Sequence, residues 1–464
     1  MVFSGLTFLL LFLPTLLLLY FVSRDLRWRN GVLVVFSLVF YAWGEPVMVL
    51  LLIGTTLFNY VVARLMARTE APGAKKLWLA LGVIGSLAGL AYFKYAGFFL
   101  STLESLFGFR LGFDAPRLPI GISFYTFQIL TYTVDVYRGK TGVQKNFWRL
   151  LLYVSCFPQL IAGPIVQYSD VAAALDDRTT TPDDFADGAR RFLIGLGKKV
   201  LLANTCGSCL LALLPTGTSP QSVGGAWISA CLYSLQLYFD FSAYSDMAIG
   251  LGRILGFTYK ENFLYPYASA SPTDFWRRWH ISLGSFFRDY VYIPLGGSRR
   301  GKAHRVLNLL IVWALTGLWH GAAWNFVLWG LYWFLLLVID KDLSKLWDKV
   351  PRVLRWLFTL AAAVVGWTIF YYTDMSALPA HLSALFGGGL PGMDEAAVSA
   401  LKQYALFLPL PVLAAAPLAP RLRQAADKRP ALAFLATVFA VGVGLLSLLF
   451  LIQQSYNPFI YFRF

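Results

Sequence analysis

An all-α polytopic membrane protein is what this sequence predicts, and three observations lead there. Mean hydropathy over 464 residues is +0.61, with 58% hydrophobic and only 14% charged residues, a balance too apolar for a soluble domain. The apolar residues fall in long runs without the alternation of a barrel strand, and in hydrocarbon only helices or closed barrels satisfy every backbone N–H and C=O. The formal charge of +15 gathers in short connections between those runs, the pattern of cytoplasmic loops rather than of a nucleic-acid surface.

A helical span takes about 20 apolar residues, and counting on that basis gives roughly ten to twelve segments. Residues 2–22 come first, and with no basic stretch before them and no small-residue cleavage site after, they read as a retained span rather than a signal peptide. The basic connection 23–30 leads to runs at 31–43 and 47–63, joined by Gly44-Glu45-Pro46, and Arg64, Arg68, Lys75 and Lys76 mark the return. Placing both basic connections in the cytoplasm puts the N-terminus outside. Runs 77–100 and 118–136 bring the chain to another basic loop with Arg138, Lys140, Lys145 and Arg149. Residues 150–168 hold Pro158, Gly163 and Pro164 in one apolar run, which predicts a broken or re-entrant segment covered by protein or by a water-filled cavity. After the acidic stretch 170–187, with a helix entry at Thr179-Thr180-Thr181-Pro182-Asp183-Asp184, Arg190, Arg191, Lys198 and Lys199 mark the cytoplasmic end of a run to 214.

Run 227–255 contains Asp240 and Asp246. An ionisable group inside a span is a functional candidate by default; the competing reading is that both carboxylates pair with nearby arginines or hydroxyls and lock the bundle. Runs 307–319 and 323–339 form a pair broken at His320-Gly321, and 353–372 crosses to an outer loop, 373–403. Run 404–418 returns, 421–429 lies inside, and 431–452 leaves 453–464 outside. Cys156, Cys206, Cys209 and Cys231 read as small packing residues, since the C-x-x-C pair at 206–209 has no second pair or nearby histidine to complete a metal site. The whole reads as one membrane domain, with N-terminal helices 1–117, a core over 118–372 and C-terminal helices 373–464.

Chemistry concentrates in residues 274–320. Two of the four histidines lie there, His280 directly after Trp279 and His320 directly after Trp319, with a basic segment between them. His304, in the basic loop, and His381, in the outer loop, read instead as solvated. A histidine at membrane depth is costly unless it has a partner or a task. The sequence has no G-x-S-x-G elbow, no Walker-type phosphate loop, no H-E-x-x-H and no local His-x-x-x-x-Asp. What remains is a histidine acting alone or in a pair, one imidazole taking the proton from an attacking hydroxyl and the other orienting it or stabilising the oxyanion. Arg277, Arg278, Arg288, Arg299 and Arg300 suit the phosphates of a coenzyme A thioester, while anchoring to anionic lipid accounts equally well for Arg277, Arg278, Arg299 and Arg300. Arg288-Asp289 reads as an ion pair holding the loop.

Three runs in this region, Phe275-Trp276-Arg277-Arg278-Trp279-His280-Ile281-Ser282-Leu283, Arg288-Asp289-Tyr290-Val291-Tyr292-Ile293-Pro294-Leu295-Gly296-Gly297 and Leu318-Trp319-His320-Gly321-Ala322, resemble the bacterial polysaccharide branch of the membrane-bound O-acyltransferase family. Tyr244-Ser245-Asp246-Met247-Ala248-Ile249-Gly250-Leu251-Gly252, Glu261-Asn262-Phe263 and Phe40-Tyr41-Ala42-Trp43 are similar to it as well. The resemblance implies a helical funnel through the bacterial cytoplasmic membrane, His320 as the catalytic histidine and His280 at the second position. It implies acetyl-CoA entering from the cytoplasm as donor substrate, with no permanently bound cofactor and no metal. The acetyl group would be handed to an extracytoplasmic acetyltransferase partner of SGNH type, for a hydroxyl of an alginate-like exopolysaccharide. Peptidoglycan or cellulose acetylation, D-alanyl transfer to teichoic acid, a transporter or flippase, and a purely structural secretion subunit are the competing expectations.

Overall fold

The computed structural model describes residues 1–464 except 111, 216, 422, 423, 425–427, 454–456, 458 and 461–464. It is helical, and no strand occurs among the described residues. The chain divides into two units, Met1–Phe192 with Tyr244–Lys260, and Leu193–Ala243 with Glu261–Phe464.

The first unit contains α1 (Phe8–Phe21), α2 (Leu26–Ala42), α3 (Met48–Arg68), α4 (Pro72–Phe107), α5 (Ile122–Tyr137), α6 (Phe147–Ser155) and α7 (Tyr168–Asp176). Helix α8 (Pro182–Leu213) begins in it and continues into the second unit. Side-chain oxygens start these helices by satisfying first-turn N–H groups that have no partner within the helix. Asp25 accepts from the N–H of Arg27 at 3.1 Å and Asn146 from that of Trp148 at 2.9 Å. At α8 the Thr181 hydroxyl donates to Asp184 at 2.7 Å and accepts from its N–H at 3.1 Å, so the expected helix entry is formed. Helix α4, at 36 residues, is about 54 Å long, well beyond a hydrocarbon core of about 30 Å.

The segment with Pro158, Gly163 and Pro164 is broken as expected. Helix α6 stops at Ser155, a single turn occupies Phe157–Leu160, and every residue from Leu150 to Val166 is buried, so protein covers the interrupted backbone. Phe3, Phe8, Phe40 and Phe157 pack ring to ring around it. A buried cation holds the other end of this unit. Arg178 donates to Tyr20 and to the Leu255 carbonyl, each at 3.1 Å, and to Asn30 at 2.6 Å, with its guanidinium 4.5 Å from the Phe257 ring centre.

In the second unit lie most of α9 (Val223–Ile254), α10 (Pro272–Arg278), α11 (Ile281–Phe287), α12 (Lys302–His320), α13 (Trp324–Asp342) and α14 (Arg352–Tyr371). The remainder is α15 (Leu378–Leu385), α16 (Glu395–Gln403), α17 (Pro409–Ala415) and α18 (Pro430–Gln453). Helices α12 and α13 cross at two glycines. A Cβ on Gly317 would lie 2.3 Å from the Phe326 carbonyl oxygen, and one on Gly330 would lie 2.4 Å from that of Trp313. Only hydrogen side chains allow this approach.

Among the described residues six helices are long and apolar enough to cross a membrane, namely α3, α4, α8, α13, α14 and α18. Helices α2 and α5 have 17 and 16 residues, and nearly every position of α5 is buried. Composition alone does not separate such protein-covered helices from lipid-facing ones. Residues 404–418, expected to return across the membrane, do not do so as a helix. They hold only the seven-residue α17, about 10 Å long, because Pro409, Pro411 and Pro417 interrupt the run. Much of 421–429 and 453–464 lies outside the described residues, so the sides expected for those two pieces are not addressed by the fold.

Asp240 is paired. Its carboxylate accepts from Lys199 at 2.6 Å and from the backbone N–H of Ile460 at 2.8 Å, with both charged side chains almost wholly buried. Removing one partner of a buried pair costs about 3–5 kcal/mol, far more than replacing both by apolar groups. Thermal melting of purified protein should therefore show Asp240→Leu and Lys199→Met each strongly destabilised, and the double variant closer to wild type than either. Gly317→Ala should cost about 1–3 kcal/mol through forced separation of α12 and α13. Gly442→Ala, where nothing lies within 4 Å of the added methyl, should be neutral or better in the same melts.

Candidate active site

His320 is the last residue of α12, and its position follows from the helix crossing. Gly317 seats the final turn of α12 on α13, and Gly321 follows in an extended conformation, so close to Phe326 that a Cβ there would fall 2.1 Å from its ring. The imidazole, 4% exposed, meets three aromatic rings nearly edge to face: Trp319 at 5.0 Å, Trp329 at 4.9 Å and Phe370 at 5.2 Å between centres. Such a surrounding excludes water. The carbonyl end of α12 also favours the positive charge a base acquires on taking a proton.

His280 sits between α10 and α11. Ser271 caps α10 by accepting from the Asp274 N–H at 3.1 Å, and Asp340 accepts from the Thr273 N–H at 2.9 Å, which fixes the start of that helix. The chain then turns sharply at His280, whose φ of 45° and ψ of 55° are left-handed; Tyr265 is the other non-glycine residue with positive φ among the described residues. The ring packs 4.6 Å from Phe241, at 89°, and 5.7 Å from Trp319. Burial pushes its pKa down to about 3, so the imidazole is neutral near pH 7.

Trp319 thus touches both imidazoles, and the two histidines share one indole. Trp279 belongs to a cluster of tryptophans, 4.6 Å from Trp367, while Trp276 meets Trp313 at 4.6 Å and Trp333 at 5.0 Å.

The basic residues divide into two groups. Arg278 pairs with Asp274 at 3.0 Å, and Arg288 pairs with Asp289 at 2.7 Å, the ion pair expected for that loop. The carboxylate raises the Arg288 pKa above its ordinary value. Arg277, Arg299 and Arg300 are exposed, and among the described residues none of them has an ion-pair partner. Asp240 and Asp246 fit the bundle-locking reading, Asp246 accepting from Arg191 at 2.9 Å within the first unit. His304 is exposed as expected.

His381 requires correction. Read as solvated, it is 2% exposed; its Nε2 donates to the Ala226 carbonyl at 3.1 Å and its Nδ1 accepts from the Tyr372 hydroxyl at 2.8 Å. Burial lowers its pKa. The polar loop around it hides a short apolar helix, α15, whose Leu378 and Leu385 are buried with it. Sequence reasoning also passed over Asn262, Trp329, Phe370 and Asp340. Asn262 stood in plain view within Glu261-Asn262-Phe263, but its contact with His280 spans 18 residues.

Comparison with known proteins bears on this site. The profile of MBOAT, the membrane-bound O-acyltransferase family, matches residues 140–376, which include both histidines. A probable alginate O-acetylase, AlgI, of Pseudomonas aeruginosa is 42% identical over 89% of this chain and 81% of its own length. The peptidoglycan O-acetyltransferase of Helicobacter pylori is 34% identical over 82% of this chain and 79% of its own. A teichoic acid D-alanyltransferase of Bacillus subtilis is 27% identical over 66% of this chain and 84% of its own. Taken with the apolar helices and the buried histidines, these likenesses lead to one conclusion: the chain belongs to the membrane-bound O-acyltransferase family, and it is an integral membrane O-acyltransferase resembling the alginate O-acetylases.

Proposed function

We propose that this enzyme takes acetyl from cytosolic acetyl-CoA and passes it across the bacterial cytoplasmic membrane for O-acetylation of an alginate-like exopolysaccharide, through an extracytoplasmic acetyltransferase partner. The observation that carries the reading is the pair of buried imidazoles against Trp319, in a chain 42% identical to a probable alginate O-acetylase. In the proposed step His320 takes the proton of an attacking hydroxyl. The hydroxyl oxygen bonds to the thioester carbonyl carbon, the C–S bond breaks, and the thiolate leaves with the electron pair and is protonated as free coenzyme A. His280, neutral near pH 7, orients the hydroxyl. Arg277, Arg299 and Arg300 bind the donor phosphates, with Arg278 and Arg288 held beside them by Asp274 and Asp289. Trp279 and Trp319 support the two rings, while Asp240 holds Lys199 within the second unit and Asp246 holds Arg191 within the first.

The membrane arrangement belongs to the same proposal: ten to twelve segments around a funnel, a core near residues 118–372, basic loops inside and the N-terminus outside. A peptidoglycan hydroxyl is the second reading for the acceptor, supported by the 34% identity to the Helicobacter enzyme.

Release of free coenzyme A from acetyl-CoA by detergent-purified protein tests the donor and the base. Turnover with His320→Ala should fall at least about a hundredfold at matched folding, the loss expected for a general base. Equal rates for both proteins, with and without the partner, would remove the acetyl-CoA reading; a carrier-protein thioester would then be tried as donor.

A further inference from the structure

The turn that presents His280 is built by a residue from another segment. Asn262, wholly buried, accepts the Ile281 N–H through its backbone carbonyl at 3.0 Å. Its side-chain Oδ1 accepts the Ser282 N–H at 3.1 Å and the Ser282 hydroxyl at 2.9 Å, and lies 3.2 Å from His280 Nδ1. These bonds offset the left-handed backbone at His280, a conformation that costs about 1–3 kcal/mol and persists only where its surroundings hold it. They also determine the chemistry of the ring. A backbone N–H can only donate, so the Asn262 atom facing Ser282 is the oxygen, and an oxygen facing Nδ1 accepts. His280 Nδ1 therefore carries the proton, and the lone pair of the neutral ring is on Nε2.

We infer that Asn262 is a positioning residue that sets the tautomer of His280, holding the proton on Nδ1 so that Nε2 is the acceptor in the acyl-transfer site. The inference rests on the proposed role of His280. Free imidazole side chains favour the opposite form, with the proton on Nε2, so the bond from Nδ1 does chemical as well as structural service. Asn262, Ser282, Phe241, Phe263 and Trp319 all touch the ring and are uncharged. An uncharged amide keeps the imidazole neutral, where a carboxylate in its place would favour the imidazolium.

Nitrogen NMR of enzyme carrying isotope-labelled histidine reads the tautomer directly, and with four histidines the assignment is short. Wild type should show one ring protonated on Nδ1, absent in His280→Ala, while His381 has the Nε2–H form. In Asn262→Leu the His280 signal should move to the Nε2–H form, and kcat should fall by about tenfold or more with KM for acetyl-CoA within about twofold. Asn262→Asp keeps every acceptor and adds a negative charge, which raises the imidazole pKa. Its acidic limb of activity should move up by about one unit or more, with the rate recovering at higher pH. An unchanged His280 signal in Asn262→Leu, or an Asn262→Asp profile superimposed on wild type while His280→Ala is inactive, overturns the inference. Full activity in His280→Ala overturns the catalytic reading of that histidine instead, and the NMR signal still decides whether Asn262 sets its tautomer.

Discussion

The contact between Gly317 and Gly330 is the constraint on which the rest of the second unit depends. Backbone meets backbone there, which leaves no room for adjustment, and the position of one helix dictates that of the other. Three residues beyond the contact α12 ends at His320, and one residue before it Trp329 of α13 supplies a wall of the aromatic enclosure. His320 and part of its enclosure are therefore placed by one crossing. Phe326 serves both, its carbonyl limiting Gly317 and its ring limiting Gly321.

Polar groups at depth are handled differently in the two units. In the first, Arg178 spreads its charge over a hydroxyl, an amide, backbone carbonyls and a phenyl face. In the second, Lys199 and Asp240 neutralise each other. Neither arrangement adds much net stability over an apolar core, since desolvation offsets most of the attraction. What each supplies is registry, because only one packing of the helices brings all of those partners together.

Much of this was legible from residues alone. The break at Pro158 to Pro164 could be seen because two prolines and a glycine leave a backbone no helix can satisfy, and the helix entry within Thr179 to Asp184 because threonines followed by proline and two aspartates suit a helix start; which of them cap it came from the structure. The pairing of Asp240 followed from the cost of a buried charge, although its partner, a lysine on α8 rather than an arginine, did not. His381 was misread because the loop containing it is polar on average while α15 within it is not. Residues 404–418 were misread because apolarity was weighed above the prolines. The Trp-His pairs drew attention to the candidate site; Phe370 and Asn262 could not be placed in it, since helical periodicity carries no information on which distant segment returns to a given face.

The tryptophans around the candidate site have an optical consequence. Trp276, Trp279, Trp313, Trp329, Trp333 and Trp367 are linked by ring-centre separations of 4.6 to 6.4 Å. Indoles this close pass excitation among themselves faster than they emit, so the cluster behaves as a single chromophore. One of its members, Trp329, lies edge-on to His320 at 4.9 Å, and a protonated imidazole quenches indole emission by electron transfer. Protonation of His320 would therefore dim the emission of the whole cluster through Trp329.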